Sequence, residues 1–266
     1  MTSHPFDDAV ALEPLGDGRY AGRTHPAYAN MVGPFGGITA AVLLRAVELH
    51  REVLGSPLSL TVNFAGPVAD GPFEVVAEPV RTNRTTQHWS IALTQEGVVA
   101  TTATAVFGLR RPTWSATETP APTAPTAETL DRQQLPPAIV WAQNYEMRFV
   151  DGLITPGAEH PDSVSTLWMR DSPPRPLTFA SFAALCDVYY PRVYLRRGEM
   201  SPAGTVSLTI YFHADAAEVS AQGEAHLLGS ARAHRFSEGF FDQTAHLWGR
   251  DGVLLATTHQ LVYFKA

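Results

Sequence analysis

The chain has 266 residues, of which 45% are hydrophobic and 17% are charged, and its formal net charge is −7 at pH 7. This composition is typical of a globular protein long enough for one large domain or two small ones. The 19 basic residues form no run, which argues against nucleic acid or an anionic membrane surface as a partner. No apolar run approaches the roughly 20 residues that span a bilayer. The N-terminus has no secretory signal pattern, so we expect a soluble, cytoplasmic protein.

The first half of the chain predicts one helix followed by four strands. Gly36 and Gly37 end a turn-rich stretch and open an apolar helix predicted over residues 38–54, with Gly55 placed to stop it. A helix followed by strands that short turns connect predicts an antiparallel sheet packed on that helix. The predicted strands cover residues 58–64, 73–80, 88–95 and 98–108.

Residues 112–137 are rich in proline and threonine and have no hydrophobic period. They are therefore predicted to form an extended linker between two domains, residues 1–111 and residues 138–266.

The second half of the chain repeats the first. Residues 206–212 resemble residues 58–64, and residues 252–258 resemble residues 97–102. Two copies in the same order predict two helix-plus-sheet units side by side. The predicted helix of this half covers residues 179–191. The predicted strands cover residues 145–150, 164–170, 205–213, 223–232, 239–248 and 253–264.

Asp187 lies near the C-terminal end of the second predicted helix, with no basic residue within four positions. That helix is apolar on almost every face, which is typical of a buried helix. A buried carboxylate either raises its pKa or recruits hydrogen-bond donors, and both outcomes are common at functional sites. The alternative is a partly exposed acid at a helix end.

Cys186 is the only cysteine, which excludes a disulfide framework and a cysteine-based metal site. Beside Asp187 in an apolar helix it is predicted to be a packing residue rather than a nucleophile. The ten histidines show no metal-ligand spacing, so no metal site is expected and His213 is predicted to be structural.

A helix packed on an antiparallel sheet, duplicated in one chain, resembles the α+β double hotdog fold. In that fold two tandem units each wrap an antiparallel sheet around a long central helix. The chain more closely resembles the acyl-CoA thioesterase II family. Four segments carry this resemblance: residues 35–37 at the first helix, Asp187 in the second, and the strands at residues 205–213 and 252–260.

The resemblance implies that Asp187, Thr205 and Gln260 of the second unit position the hydrolytic water. A carboxylate suits the orientation and deprotonation of water, and backbone N–H groups at a helix N-terminus suit an oxyanion. The implied reaction is hydrolysis of a fatty or aromatic acyl-CoA to the free acid and coenzyme A, without a metal or redox cofactor.

The substrate-contacting residues implied by the resemblance are Phe35, Gly36 and Gly37. Tyr189 is predicted to pack in the core. Alternatively it lines an acyl channel, and it is therefore a fourth candidate for contact with the substrate. Exposed strand edges of such units pair, which implies a homodimer or a higher homo-oligomer.

The first repeat offers an internal control. Matching the two strands gives an offset of 148 residues (207 − 59), which places Thr39 at the position of Asp187 and Pro57 at that of Thr205. The first unit therefore lacks the acid and the hydroxyl, and we expect one complete site per chain.

Three departures from the family pattern indicate a divergent branch. Ile38 stands where the family has Gln, Cys186 where it has Ser, and residues 207–208 where it has an Asp-His pair. Strict alternation also places Thr205 on the face opposite the apolar face of its strand, so that a bend at Gly204 would be needed to turn it inward.

Two other functions stay open. A hotdog dehydratase or hydratase would need a His followed by Gly and Pro at set spacing, a pattern that the sequence around His25 does not fit. A non-catalytic acyl-CoA-binding scaffold would be consistent with the altered neighbours of Asp187.

Overall fold

The computed structural model describes residues 3–265. The first half of the chain forms α1 (Pro5–Ala9), β1 (Glu13–Gly16), β2 (Arg19–Arg23), α2 (Gly36–Glu48), β3 (Ser56–Phe64), β4 (Pro72–Thr82), β5 (Thr86–Gln95) and β6 (Val98–Gly108). The second half forms β7 (Tyr145–Asp151), β8 (Ser165–Asp171), α3 (Phe179–Leu185), α4 (Arg192–Arg197), β9 (Ala203–Phe212), α5 (Ala216–Ala221), β10 (Leu227–Arg232), β11 (Phe236–Ser237), β12 (Phe240–Trp248) and β13 (Leu254–Phe264).

All strands of the described chain belong to one antiparallel sheet that runs through both halves. Its strand order is β1-β2-β4-β5-β6-β3-β9-β13-β12-β10-β8-β7, and β11 pairs with β12. The predicted antiparallel sheet is confirmed, and β3 and β9 join its two halves edge to edge. None of the helices in residues 3–265 is long and apolar enough to cross a membrane.

The junction of β3 and β9 is symmetric. Thr61 lies opposite Thr209, and their hydroxyl oxygens are 3.1 Å apart. The two residues are 148 positions apart (209 − 61), the same offset that relates the sequence repeats. A pseudo-two-fold axis therefore passes through this pair and relates the two units.

The two helices that face each other across the core differ in length. Helix α2 is buried along most of its length but ends at Glu48 rather than at residue 54, and Gly55 (φ +72°) leads into β3 instead. Helix α3 ends at Leu185, so the prediction of a long second helix over residues 179–191 is wrong. Pro191 disfavours helical backbone at the residue before it, and α4 begins only after this proline.

The segment that connects the units lies against the second one. Residues 109–126 contain no helix or strand. The indole N–H of Trp168 donates to the carbonyl of Pro125 at 2.8 Å, and that of Trp248 donates to the carbonyl of Thr119 at 3.1 Å. The segment is thus a bound strap rather than a free tether.

The apolar side chains form two clusters. The main core joins α2 and α3 to the inner face of the sheet in both units. A smaller cluster lies between α4 and the far ends of β12 and β13, and consists of Val193, Tyr194, Ala233, Phe241 and Val262.

Candidate active site

Asp187 lies two residues beyond the end of α3 and is 7% exposed. Its Oδ1 accepts a hydrogen bond from Nε2 of Gln260 at 2.9 Å, and the backbone N–H of Gly37 lies close enough to favour the charged carboxylate. No lysine or arginine of the described chain forms an ion pair with it. Burial therefore outweighs these donors and raises the pKa of Asp187 to about 7.

The N-terminus of α2 brings two glycines against this acid. A methyl group on Gly36 would lie 2.7 Å from Oδ2 of Asp187, and one on Gly37 would lie 2.6 Å from the carbonyl oxygen of Ala184. Only glycine permits such a close approach of α2 to the end of α3. Phe35 is the N-cap residue of α2, and its side chain makes no hydrogen bond. The N–H groups of the first turn therefore have no side-chain cap from Phe35, and the positive end of the helix dipole lies at the site.

A β-bulge turns Thr205 toward the site. Leu261 pairs with Ser207 and Val262 pairs with Thr205, which leaves Val206 between them without a partner. The extra residue reverses the alternation, so the bend expected at Gly204 is not what turns the side chain inward. The hydroxyl of Thr205 then donates to Oε1 of Gln260 at 3.4 Å.

The same bulge occurs in the first unit. Pro57 pairs with Phe107 and Ser59 pairs with Val106, which leaves Leu58 unpaired. Leu58 is 148 positions before Val206, so the bulge belongs to the repeated scaffold and not to the polar site alone.

Asp187, Gln260 and Thr205 thus form one hydrogen-bonded row, and Gly36 and Gly37 of the other unit lie beside it. The row combines a desolvated carboxylate with an amide that orients it and a helix N-terminus that favours negative charge. This arrangement is suited to activating a water molecule and to stabilising an oxyanion.

Two further predicted contacts lie near this row but not in it. Phe35 is buried, stacks on Trp141 with a ring separation of 4.1 Å, and approaches Tyr145 at 5.9 Å. Tyr189 is buried over Gly229, and its hydroxyl has no hydrogen-bond partner in the described chain.

Cys186 and His213 lie outside the row. Burial and the neighbouring carboxylate raise the pKa of the Cys186 thiol well above its ordinary value, so the thiol stays protonated. The ring of His213 hydrogen-bonds the hydroxyl of Thr257 at 3.1 Å. Within residues 3–265, no three His, Cys, Asp or Glu side chains are grouped to hold a metal ion.

One residue beside the row escaped the sequence analysis. Gln243 of β12 pairs directly with Gln260 of β13, so both side chains project from the same face of the sheet. Gln243 is 1% exposed. The sequence signal that could have identified Gln243 is a glutamine at an inward position of β12, between the apolar residues Phe241 and Ala245.

A second buried acid lies on another strand of the second unit. Asp171 of β8 pairs with Tyr145 of β7, and Arg175 approaches it no closer than 3.9 Å. Burial raises the pKa of Asp171 to about 7. One of its oxygens, together with the hydroxyls of Tyr28 and Tyr145, makes no hydrogen bond with the described residues.

Comparison with known proteins agrees with this architecture. Residues 25–108 match the family model of the acyl-CoA thioesterase N-terminal domain, and residues 117–264 match that of the acyl-CoA thioesterase C-terminal domain. A search of curated proteins gave no significant match.

Solved structures share the fold over the full length. A conserved protein of unknown function with a hot dog fold, from Alicyclobacillus acidocaldarius, is 50% identical, with a TM-score of 0.96 over 100% of this chain and 99% of that chain. The tesB protein of Mycobacterium avium subs paratuberculosis is 21% identical, with a TM-score of 0.80 over 99% and 100%. An acyl-CoA thioesterase II of Mycobacterium marinum is 17% identical, with a TM-score of 0.77 over 98% of each chain.

Proposed function

The chain belongs to the acyl-CoA thioesterase II family, and we propose that it hydrolyses a fatty or aromatic acyl-CoA thioester to the free acid and coenzyme A. The observation that carries this proposal is the buried carboxylate of Asp187, held by Gln260 and facing the N-terminus of α2. A desolvated acid without a counter-ion costs stability, and general-base chemistry gives a reason for keeping it.

In the proposed mechanism Asp187 takes a proton from a water molecule as the water oxygen attacks the thioester carbonyl. Negative charge then develops on the carbonyl oxygen, and first-turn N–H groups of α2 stabilise it. The carbon–sulfur bond breaks, and the proton held by Asp187 passes to the departing sulfur of coenzyme A. Gln260 keeps the carboxylate in position, and Thr205 keeps Gln260 in position.

The division of labour between the units supports a single site per chain. We propose that residues 1–111 form a scaffold that contributes Gly36 and Gly37, and that residues 138–266 carry the catalytic row. Residues 112–137 connect the two. Phe35 and Tyr189 are proposed to shape the space that the acyl group occupies, because both are buried aromatic residues, one next to Gly36 and the other two positions after Asp187.

Assembly and location are separate proposals. We expect a cytoplasmic homo-oligomer that forms through the outermost strands of the sheet, β1 and β7, since unpaired strand edges favour association. Light scattering coupled to size-exclusion chromatography tests the assembly, and a species of only 28.9 kDa would exclude it.

The catalytic proposal is tested by coenzyme A release from acyl-CoAs ranging from acetyl to palmitoyl. For the wild type we expect kcat/KM to rise about tenfold per pH unit below pH 7 and to level off above it, because the general base must be deprotonated. Asp187→Asn keeps the shape of the side chain and removes the base, so we expect a loss of roughly 10²–10⁴-fold.

Circular dichroism of Asp187→Asn provides the control for folding. Undiminished turnover in a folded variant would remove Asp187 from the mechanism. A wild type that binds acyl-CoA without releasing coenzyme A would instead indicate an acyl-CoA-binding scaffold.

A further inference from the structure

Gln243 is the polar residue of the second unit whose burial the fold does not explain. Its side chain projects from β12 into the interior beside Gln260, and its inward neighbours on the same strand, Phe241 and Ala245, are apolar. None of the side-chain hydrogen bonds between the described residues involves the amide of Gln243, and the residue is 1% exposed. Its nitrogen and oxygen can therefore bind a small molecule such as water.

Other buried glutamines of the described chain show what a structural role looks like. The amide of Gln87 accepts from the backbone N–H of Leu54 and donates to the carbonyl of Glu52 and the hydroxyl of Thr82. Gln222 likewise donates to the carbonyl of Glu218 and accepts from the backbone N–H of Arg250. Each of these amides joins separate segments, whereas Gln243 joins none.

The first unit shows that the scaffold does not need an amide at this place. Gln260 pairs with Leu208 on one side and with Gln243 on the other. The repeat offset of 148 relates Leu208 to Leu60, which pairs with Ala105, and Ala105 pairs with Trp89. The counterparts of the two glutamines are therefore a buried alanine and a buried tryptophan.

The two glutamines and Thr205 form a polar band across three neighbouring strands. Phe241 and Val262, on one side of this band, belong to the smaller apolar cluster, while Leu208, on the other side, belongs to the main core. An unbroken apolar layer would have joined the two clusters, so the band interrupts the core where the row of Asp187 lies.

The reaction calls for a hydrogen-bond acceptor beside the row. The amide of Gln260 donates to Asp187 and accepts from Thr205, and these two bonds fix its orientation. A water molecule that gives one hydrogen to Asp187 needs an acceptor for the other. Gln243 presents an uncommitted carbonyl oxygen next to Gln260.

We propose that Gln243 is a catalytic residue whose amide oxygen accepts the second hydrogen of the hydrolytic water. This inference rests on the proposed thioesterase activity. It adds a fourth side chain to the row and assigns Gln260 to the carboxylate and Gln243 to the water. The water would then be held at both hydrogens, which fixes the direction of its attacking lone pair.

The first test replaces the amide by an apolar side chain of similar size, in Gln243→Leu. We expect kcat to fall about 10–100-fold while KM changes less than about threefold, because the variant loses orientation of the water rather than substrate binding. We also expect the melting temperature to stay unchanged or to rise, because an unpartnered amide leaves the interior. A structural residue would give the opposite pair of results.

The second test is Gln243→Glu, which adds a carboxylate beside Gln260, the hydrogen-bond partner of Asp187. Like charges at close range raise the pKa of a carboxyl group, so we expect the midpoint of the pH–rate profile to move up by about one unit. Thr244→Val is the matched control, since Thr244 is the next residue of β12 and faces the opposite side of the sheet. It should preserve the rate, the midpoint and the melting temperature.

The outcomes separate this inference from the proposed function. Wild-type turnover that Gln243→Leu retains in full would overturn the role of Gln243 alone, as would a pH–rate midpoint that Gln243→Glu leaves in place. A wild type that hydrolyses no acyl-CoA would overturn the proposed function and this inference with it.

Discussion

The two units have the same scaffold and differ in a few interior positions. Both contain the bulge that turns a strand residue inward, at Leu58 and at Val206. At the inward position beside it the first unit has Pro57 and the second has Thr205. The comparison teaches that both units have the backbone geometry of the site. Only the second unit has the polar side chains that the proposed chemistry needs.

The first unit nevertheless contributes to the site through its backbone. The N-terminus of α2 approaches Asp187 at Gly36 and Gly37, where the helix supplies dipole and N–H groups but no reactive side chain. A single unit would hold only half of this arrangement. Substitutions in each unit can therefore show how far that unit can be changed before the site fails.

Within the first unit, the largest expected effect comes from Gly36→Ala. The added methyl would lie 2.7 Å from Oδ2 of Asp187, and the end of that side chain is the atom group that must move. Because a misplacement of about 1 Å costs about 100-fold in rate, we expect kcat/KM to fall by roughly that factor with little loss of stability.

Gly66→Ala is the matched control for this variant, because a methyl group there meets no atom within 4 Å. Coenzyme A release and thermal unfolding should both resemble the wild type. If Gly36→Ala is equally active, the approach of α2 to Asp187 has no part in catalysis.

The next effect concerns the pH dependence of stability. Asp171, in the second unit, has a folded pKa of about 7 against an ordinary value of 3.8. Between these values the folded state binds more protons than the unfolded state, so the free energy of unfolding decreases as pH rises. From pH 5 to pH 8 the decrease due to Asp171 is roughly 3 kcal/mol.

Asp171→Asn should remove that part of the pH dependence and be the more stable protein at pH 8. Urea unfolding at several pH values measures the difference. Asp70→Asn, at an exposed position, provides the control for the Asp-to-Asn substitution itself. An unaltered slope in Asp171→Asn would mean that its carboxyl group does not titrate in this range.

The smallest effect concerns the strap between the units. Trp168→Phe removes the indole N–H that donates to the carbonyl of Pro125, so we expect a loss of about 1 kcal/mol and faster proteolysis within residues 112–137. Trp114→Phe is the control, because Trp114 is 84% exposed. Equal cleavage rates in both variants would show that the strap is not held by this bond.

The sequence allowed the prediction of the repeat and of the antiparallel sheet, because each depends on local patterns. It could not place Gly36 against Asp187, since this contact joins residues from different units. The inward turn of Thr205 was also out of reach, because strand alternation carries no sign of an extra residue at Val206. The sequence does not mark Gln243, because the residues that carry the family resemblance do not include it.

The helices show a similar limit. The long apolar run that begins at Phe179 predicts a helix, but the run does not show that this helix ends at Leu185. Asp187 therefore lies beyond the helix, where it accepts a hydrogen bond from Gln260. Helix α5 was not predicted, although Asp215 and Glu218 form a capping box. The spacing of three positions between these two residues is a sequence signal for the start of a helix.

The symmetric junction at Thr61 and Thr209 has a consequence for assembly. If the two halves were separate chains, they would dissociate on dilution, and a site shared across the junction would be lost. Joining both halves in one polypeptide replaces that encounter with an intramolecular one at a fixed effective concentration. Because the strap joins the halves, the integrity of the site does not depend on protein concentration. Each half can also acquire substitutions that the other half does not share.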